Sequence, residues 1–253
     1  MKPTDLTALK RRGEKLAVLT AYDYPTARLL DESGLDILLV GDSLGMVVLG
    51  FPDTTHVTME HMLHHTAAVA RGTQRALLVA DLPFASYDTP GQAIANAHRL
   101  LAAGAHAVKL EGGATHAARI AALVAAGIPV MAHLGMLPQS VVQEGGYRIK
   151  GKTPEAAEAL LADAHAVENA GAFAVVLELV QADVAARLSA ALRIPTIGIG
   201  SGPACDGQVL VTHDLIGLFP WFTPKFARPR AQVSVSIREA AAAFVRETKQ
   251  PER

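Results

Sequence analysis

A small residue followed by glycine precedes a run of apolar residues at four places along the chain. Glycine after a helix adopts the left-handed conformation that closes the last turn. The runs that follow are apolar at consecutive positions, as in parallel strands that helices cover. The pattern therefore predicts helix–strand units. The four copies are Ser33-Gly34 before Ile37–Val40, Ala103-Gly104 before Ala107–Leu110, Ala126-Gly127 before Ile128–Met131, and Ala170-Gly171 before Ala174–Leu177.

Eight apolar runs are predicted as strands, with helix starts between them. Thr89-Pro90 and Thr153-Pro154 each place a capping hydroxyl before a proline at the first helical position. Thr58 is predicted to cap a third helix, which extends to Arg71. Eight alternating units in 253 residues favour an α/β fold, the closed (β/α)8 TIM barrel. Seven strands would instead permit an open sheet. The predicted strands lie near 16–22, 37–42, 76–82, 107–111, 128–133, 174–179, 194–199 and 214–219.

The chain is predicted to form a single domain over 1–253, because no linker or low-complexity stretch interrupts it. A helix near 4–12 would cover the bottom of the barrel, and a helix near 231–248 would close the chain. Segments 43–57, 134–152 and 200–213 lack clear periodicity. All three follow predicted strands, on the face where barrel enzymes carry their sites.

Composition and charge exclude several classes of partner. The net charge is −1 and the charges are mixed, which gives no support for binding nucleic acid. A single cysteine, Cys205, excludes an intrachain disulfide and suits a reducing compartment. The first twelve residues are too polar for a signal peptide, and no apolar run is long enough to span a membrane. We therefore expect a cytoplasmic protein without a membrane partner.

Ionisable residues stand at the carboxyl ends of five successive predicted strands. Strand alternation puts Lys109 and Glu111 on one face. Leu177 and Leu179 are predicted to point away from Glu178, so that Glu178 faces the barrel interior. Burying so many ionisable groups is costly unless they pair or bind a metal. The set consists of Asp42, Asp81, Lys109 with Glu111, His133 and Glu178.

Each residue also has a purely structural explanation. Asp42-Ser43 could cap the next helix, and Asp81 could belong to a turn. Lys109 and Glu111 could form an ion pair on one strand face, and His133 could be a hydrogen-bonded core histidine. Glu178 has few structural uses inside an apolar strand. Because all five positions fall at one end of the predicted barrel, the set favours an active site.

The residue types also narrow the metal that such a site could hold. Two aspartates without a nearby cysteine offer hard oxygen ligands, which suit Mg²⁺ better than Zn²⁺. A 2-oxo acid could chelate Mg²⁺, and the metal would stabilise its enolate. His61, His64 and His65 lie on one predicted helix, where a solvated face is favoured because no glutamate follows His61 as a zinc-protease motif requires.

Two further features are weaker. The loop Gly198–Gly202 is either a phosphate-binding turn or a tight structural turn. Cys205 is predicted to be structural, because no activating partner is identifiable.

Six motifs, in order along the chain, resemble the ketopantoate hydroxymethyltransferase family over about residues 5–230. Ser201 departs from the family pattern, in which alanine is expected, and so does Lys150, where glutamine is commoner. The motifs are Leu-Thr-Ala-Tyr-Asp-Tyr-Pro from Leu19, Val-Gly-Asp-Ser-Leu-Gly-Met from Val40, Val-Ala-Asp-Leu-Pro-Phe from Val79, Val-Lys-Leu-Glu-Gly-Gly from Val108, Met-Ala-His-Leu-Gly from Met131, and Gly-Ile-Gly-Ser-Gly-Pro-Ala-Cys-Asp-Gly-Gln from Gly198.

The resemblance implies a barrel of the phosphoenolpyruvate/pyruvate type and a specific reaction. A one-carbon unit would pass from 5,10-methylenetetrahydrofolate, the co-substrate, to 3-methyl-2-oxobutanoate, giving 2-dehydropantoate in pantothenate biosynthesis. One Mg²⁺ per subunit and a homo-oligomer, commonly a decamer, are implied as well. A Mg-dependent lyase or mutase of the same superfamily, or a non-catalytic protein that binds metal or oxo acid, are the alternatives.

Roles implied by the resemblance fall on the same residues. Asp42 and Asp81 would bind Mg²⁺, and Glu111 would lie near the metal. The substrate-binding set would be Asp42, Ser43, Asp81, Lys109 and His133. Glu178 would act as the general base.

Overall fold

The structure is a computed structural model that describes residues 1–249. Its chain divides into two compact units, Met1–Val209 and a second unit that begins at Leu210. The two units are described separately. A single domain over 1–253 stays a prediction, and residues 250–253 lie outside the described part.

Eight parallel strands follow one another in chain order around a closed barrel. This confirms the predicted TIM barrel, and the open-sheet alternative is wrong. Seven of the predicted strands match the structure to within two residues at each end. The strands are β1 Leu16–Thr20, β2 Ile37–Val40, β3 Leu77–Asp81, β4 Ala107–Glu111, β5 Val130–Gly135, β6 Ala174–Glu178, β7 Thr196–Ile199 and β8 Gly207–Leu210.

The prediction of the eighth strand at 214–219 is wrong. β8 lies inside the segment 200–213, and the predicted strand begins within a short helix, Thr212–Leu215. β8 starts at Gly207, where a Cβ atom would lie only 2.7 Å from the backbone oxygen of Leu16 in β1. A four-residue strand that begins with glycine and exposes Gln208 carries no apolar run. The apolar run after Thr212 therefore gave the stronger but misleading signal.

The helices begin where the threonine caps predict. Thr58, Thr89 and Thr153 each accept a hydrogen bond from the backbone N–H three residues later. The helices are α1 Pro3–Arg11, α2 Tyr24–Glu32, α3 Leu44–Val47, α4 Met59–Gly72, α5 Pro90–Ala102, α6 Ala117–Ala125, α7 Val141–Glu144, α8 Pro154–Asn169, α9 Ala182–Ala191, α10 Thr212–Leu215 and α11 Val233–Lys249, with 3₁₀ turns at 54–56, 114–116 and 138–140.

The barrel strands place alternate side chains in two environments. In β4, Val108 and Leu110 belong to the apolar core shared with the helices. Ala107, Lys109 and Glu111 are buried but lie outside that core, so they face the barrel interior. The interior of β4 is thus apolar at its amino-terminal end and charged at its carboxyl-terminal end.

Four carboxylates bind backbone groups at the amino-terminal end of the barrel. Asp31 of α2 accepts hydrogen bonds of 2.8–3.2 Å from the N–H groups of residues 74, 75 and 76, directly before β3. Glu168 accepts from residues 193 and 194 before β7. Asp36 accepts from Ala17 in β1, and Asp206 accepts from Thr196 in β7. These bonds fix the turns that lead into the strands.

Helix α1 is tied to the same end through one lysine. Lys10 Nζ donates to the backbone oxygens of Ser189 and Ile194 at 2.8 and 3.0 Å. It also forms an ion pair with Asp206 at 2.9 Å. The first helix is therefore bonded to residues that come more than 170 positions later in the chain.

The second unit contains α10 and α11. Arg230 N donates to Leu215 O at 2.6 Å, and Val233 N donates to Ile216 O at 3.0 Å, so the start of α11 is bonded to the end of α10. Helix α11 exposes large apolar side chains, among them Ile237 and Phe244. Within residues 1–249, every helix is too short or too polar to cross a membrane.

Candidate active site

Strand pairing brings five of the predicted residues together at the carboxyl-terminal end of the barrel. Asp81 pairs with Lys109 across β3 and β4, and Glu111 pairs with His133 across β4 and β5. Glu178 is the last residue of β6, the next strand around the barrel. Because each position is set by strand register, the cluster is held by the most rigid part of the fold.

Asp42, Asp81 and Lys109 form one side of the cluster. The Asp42 backbone N–H donates to Asp81 Oδ2 at 3.0 Å. Lys109 Nζ donates to Asp81 Oδ1 at 2.8 Å in a fully buried ion pair. The hydrogen-bond partner of Lys109 is thus on the neighbouring strand, and is not Glu111 on its own strand.

Ser43 lies next to Asp42, at the start of α3. Its side chain makes no capping hydrogen bond to that helix, which argues against helix capping as its role. Its Oγ is instead 2.8 Å from the hydroxyl of Tyr22, which follows β1 and is buried. The Ser43 hydroxyl is therefore held toward the carboxyl-terminal end of the barrel.

His133 lies between two carboxylates. Its Nδ1 is 3.5 Å from Glu111 Oε1, and its Nε2 is 3.3 Å from Glu178 Oε2. Burial and the charge of Lys109 lower the pKa of His133 well below its usual value, so the imidazole is neutral. Within residues 1–249, both ring nitrogens and Glu111 Oε1 are buried without a hydrogen bond. Since buried polar atoms normally have partners, these three atoms mark a place that a ligand could satisfy.

Four carboxylates share this region with one buried ammonium group. Burial raises the pKa of Glu178 to about 8, against the opposing charge of Lys109. Burial and the charge of Asp81 raise the pKa of Asp42 to about 7. Burial and the charge of Asp42 also raise the pKa of Glu111 well above its ordinary value. Burial is the largest cause of all three shifts, and repulsion from neighbouring carboxylates adds to it.

The residue after Glu178 departs from strand geometry. Leu179 has φ 47°, a left-handed conformation that leucine rarely adopts. The prediction that Leu177 and Leu179 share one strand face is therefore wrong for Leu179, because β6 ends at Glu178. Leu177 does lie in the core shared with the helices, as predicted, so Glu178 has the opposite orientation.

The sequence patterns missed Gln139 and Tyr87. Gln139 Nε2 donates to Asp42 Oδ2 at 2.7 Å, and its backbone N–H donates to Glu111 Oε2 at 3.0 Å. The Tyr87 hydroxyl donates to Gln139 Oε1 at 2.5 Å. The one available signal was that Gln139 falls in the segment 134–152 on the site face. No sequence pattern indicated a functional role for Tyr87.

The weaker candidates lie away from this cluster or are used structurally. His61 takes part in the cap of α4 with Thr58, and His65 Nδ1 lies 2.6 Å from the backbone oxygen of Tyr22. Cys205 is buried, and burial raises the pKa of its thiol. Ser201 Oγ accepts from Val180 N at 2.9 Å and donates to Leu177 O at 2.7 Å. These bonds favour a structural turn for the segment 198–202.

The residues present fit a magnesium ion better than a zinc ion. Within residues 1–249, no group of three or more histidine, cysteine or acidic side chains is arranged to hold a metal ion. Magnesium needs only one or two carboxylates, because water and substrate oxygens complete its coordination. The Asp42 backbone N–H bonds to Asp81, and Glu111 Oε1 is a buried acceptor without a hydrogen bond within residues 1–249, 3.5 Å from His133 Nδ1.

Solved structures share the fold of this chain at low sequence identity. A crystal structure of phosphonopyruvate hydrolase with oxalate and Mg²⁺ aligns with a TM-score of 0.67 and 16% identity, over 98% of this chain and 88% of the other. A crystal structure of 2,3-dimethylmalate lyase, a member of the PEP mutase/isocitrate lyase superfamily, aligns with a TM-score of 0.64 and 17% identity, over 99% and 88%. These likenesses concern the fold alone.

Sequence relatives are much closer. The 3-methyl-2-oxobutanoate hydroxymethyltransferase of Moorella thermoacetica is 54% identical over 247 residues, 97% of this chain and 92% of its own. The protein of the same name from Syntrophus aciditrophicus is 53% identical over 246 residues, 96% and 90% of the two chains. The model of the ketopantoate hydroxymethyltransferase family matches residues 1–252. This chain therefore belongs to the ketopantoate hydroxymethyltransferase family.

Proposed function

We propose that this enzyme transfers a hydroxymethyl group from 5,10-methylenetetrahydrofolate to 3-methyl-2-oxobutanoate and forms 2-dehydropantoate. The observation that carries the mechanism is the position of Glu178 at the end of β6, where its side chain is 13% exposed and lies 3.3 Å from His133 Nε2. Burial raises its pKa to about 8. A carboxylate of that basicity is suited to removing a proton from carbon at neutral pH. The names of relatives at 53–54% identity support the substrate and the donor class.

Glu178 is the general base in this proposal. Its carboxylate takes the proton from C3 of the oxo acid. The electrons of that C–H bond form the C2–C3 double bond, and the π electrons of the carbonyl group move onto the ketone oxygen. Lys109 provides the buried positive charge that balances the resulting enolate. Carbon C3 then forms a bond to the methylene carbon of the folate iminium, and the electrons of the C=N double bond pass to the folate nitrogen. Water supplies the hydroxyl oxygen as the bond from the methylene carbon to that nitrogen breaks, which releases tetrahydrofolate and 2-dehydropantoate.

Ser43, His133 and the aspartates hold the oxo acid in the proposal. The hydroxyl of Ser43, fixed by Tyr22, can donate to the substrate carboxylate. The neutral His133 presents two ring nitrogens without hydrogen bonds in the described chain, and one of them can bond to the substrate. Asp42 and Asp81 would contact the substrate through the metal that they share with it.

Asp42 and Asp81 would hold one Mg²⁺ per subunit, with Glu111 beside it. When bound, the ion would withdraw charge from the ketone oxygen and acidify the hydrogen on C3. Two observations support this assignment: the cluster holds four carboxylates and one lysine, and Glu111 Oε1 makes no hydrogen bond within residues 1–249.

The direct test is proton NMR in D₂O with Mg²⁺, 3-methyl-2-oxobutanoate and the folate donor. We expect the C3 proton signal to disappear and hydroxymethyl signals to grow, with both effects abolished by a chelator. Exchange without product would reassign the enzyme to the lyase or mutase alternative. Tight binding of the oxo acid without exchange would favour a non-catalytic binding protein.

We further propose a cytoplasmic homo-oligomer, with a decamer as the specific prediction. The single cysteine and its burial suit a reducing compartment. Large apolar side chains on the surface, such as Trp221 at 77% and Phe244 at 68% exposure, support contacts between copies. Sedimentation velocity would separate a decamer from a dimer or monomer.

A further inference from the structure

Gln139 makes hydrogen bonds to residues at the ends of three different strands. It lies in the 3₁₀ turn after β5 and is buried. Its backbone N–H bonds to Glu111 at the end of β4, and its side-chain amide bonds to Asp42 after β2 and to the backbone oxygen of Leu82 after β3, at 3.0 Å. Gln139 therefore contacts two of the three carboxylates assigned to the metal.

The orientation of the Gln139 amide is determined by its neighbours. Its nitrogen faces two acceptors, Asp42 Oδ2 and Leu82 O, and its oxygen faces the hydroxyl of Tyr87. A flipped amide would direct its oxygen at both acceptors, which is repulsive. Tyr87 is the group that satisfies the amide oxygen in the observed orientation, so its hydroxyl selects that orientation.

The loop that carries Tyr87 is itself fixed. Ser86 N donates to Pro83 O at 3.1 Å, and Ala85 has φ 59°, so the chain turns sharply after β3. Two side chains of α5 bond to this turn: Gln92 Nε2 donates to Ala85 O at 2.9 Å and Asn96 Nδ2 donates to Ser86 O at 2.8 Å. The position of the Tyr87 hydroxyl thus follows from a turn anchored on a long helix.

We propose that Gln139, oriented by Tyr87, is a positioning residue that fixes the separation of Asp42 and Glu111 and thereby sets the affinity of the site for a divalent cation. The proposal rests on the metal assignment made in the proposed function. Groups that orient the ligands of a metal typically change its affinity or the activity by about 10–100-fold when they are removed.

The first variant is Tyr87→Phe, which keeps the buried ring and removes only the hydroxyl. Titration with Mn²⁺, followed by electron paramagnetic resonance without substrate, should show about tenfold weaker binding. The Mg²⁺ concentration that gives half-maximal turnover should rise by about the same factor, because more metal is needed to fill the weakened site. Tyr24→Phe is the matched control, since the Tyr24 hydroxyl is exposed and bonds to Arg28.

The second variant is Gln139→Met, which preserves side-chain length and removes the amide. Its Mn²⁺ affinity should fall further than that of Tyr87→Phe, because the bond to Asp42 is lost outright. If both variants bind Mn²⁺ as tightly as wild type and only melt at a lower temperature, Gln139 merely holds loops together and the proposal is overturned. A wild-type protein that binds Mn²⁺ but does not exchange C3 would contradict the proposed function, and the affinity comparison would still decide the role of Gln139.

Discussion

The two ends of the barrel each hold four carboxylates, in opposite surroundings. At the amino-terminal end, Asp31, Asp36, Glu168 and Asp206 accept hydrogen bonds from backbone N–H groups. At the carboxyl-terminal end, Asp42, Asp81, Glu111 and Glu178 surround a single lysine, and the pKa values of Asp42, Glu111 and Glu178 are raised. One end uses its charges to stabilise the fold. The other keeps carboxylates whose ionisation burial disfavours, as functional sites commonly do.

The largest effect that this comparison predicts is on catalysis at the carboxyl-terminal end. Glu178→Gln should lower turnover and the rate of C3 exchange by about 1,000-fold, because the general base is lost. Substrate binding and the melting temperature should change little. Glu158→Gln, at an exposed glutamate paired with Arg187, is the control. Turnover at the wild-type rate in Glu178→Gln would remove this residue from the base role.

The second effect is on stability at the amino-terminal end. Asp31→Asn should lower the free energy of unfolding by about 3 kcal/mol, because charged hydrogen bonds to three backbone N–H groups are lost or weakened. Turnover should be unchanged. Urea denaturation of the two proteins, with NMR exchange as the activity assay, measures both quantities.

The pH dependence of that loss has a definite sign. Burial alone would raise the pKa of Asp31, but the N–H groups of Ala76, Arg75 and Gln74 hold it below its ordinary value. The stabilisation is therefore present above the unfolded-state pKa of about 4 and is lost as the pH falls through the lower folded-state pKa. The difference between Asp31→Asn and wild type should shrink below about pH 4. A difference that is constant down to about pH 2 would contradict this account.

A substitution at the opposite end should change stability in the opposite direction. Glu111→Gln, measured with chelator at about pH 8, should raise the free energy of unfolding by about 1–2 kcal/mol. Folding raises the pKa of the Glu111 carboxyl group, which costs stability above its unfolded-state pKa, and the amide removes that cost. The same variant should bind Mn²⁺ more weakly than wild type. A destabilised Glu111→Gln would break the proposed contrast between the two ends.

The smallest effect concerns an exception at the carboxyl-terminal end. Ser201 is fully bonded there, to Val180 N and Leu177 O, although it stands where the family pattern leads us to expect alanine. Ser201→Ala should cost about 1 kcal/mol of unfolding free energy, because the Val180 N–H loses its partner. Turnover should stay within about twofold. A large loss of turnover would show that this turn also controls the orientation of Glu178.

The barrel could be predicted from eight apolar runs separated by helix starts, and part of the charged cluster from the alternation of side chains along those strands. Lys109 and Glu111 lie on one face because they are two residues apart, and that relation holds in any strand. The alternation of side chains ends at Leu179, which has a left-handed backbone conformation. No local sequence pattern indicated that conformation. The alternation also gave no help with β8, where a glycine and an exposed glutamine replace the apolar run.

Residues on loops could not be placed in the same way. Tyr87 reaches Gln139 across 52 positions of sequence, through a turn that depends on Ala85 and on two side chains of α5. Neither the register of a strand nor the period of a helix extends over such a path. The geometry of strand ends is therefore predictable from sequence, and the contacts that refine it are not.

The bonds of Lys10 bear on the order in which the chain can fold as it is made. The last of its partners, Asp206, is synthesised 196 residues after it. At 5–20 residues per second, that interval is roughly 10–40 s. For most of this time the first helix lacks all three groups that Lys10 will contact. We expect this amphipathic segment to be the part of the nascent chain most accessible to chaperones, and the closing of the barrel to be one of the last events of synthesis.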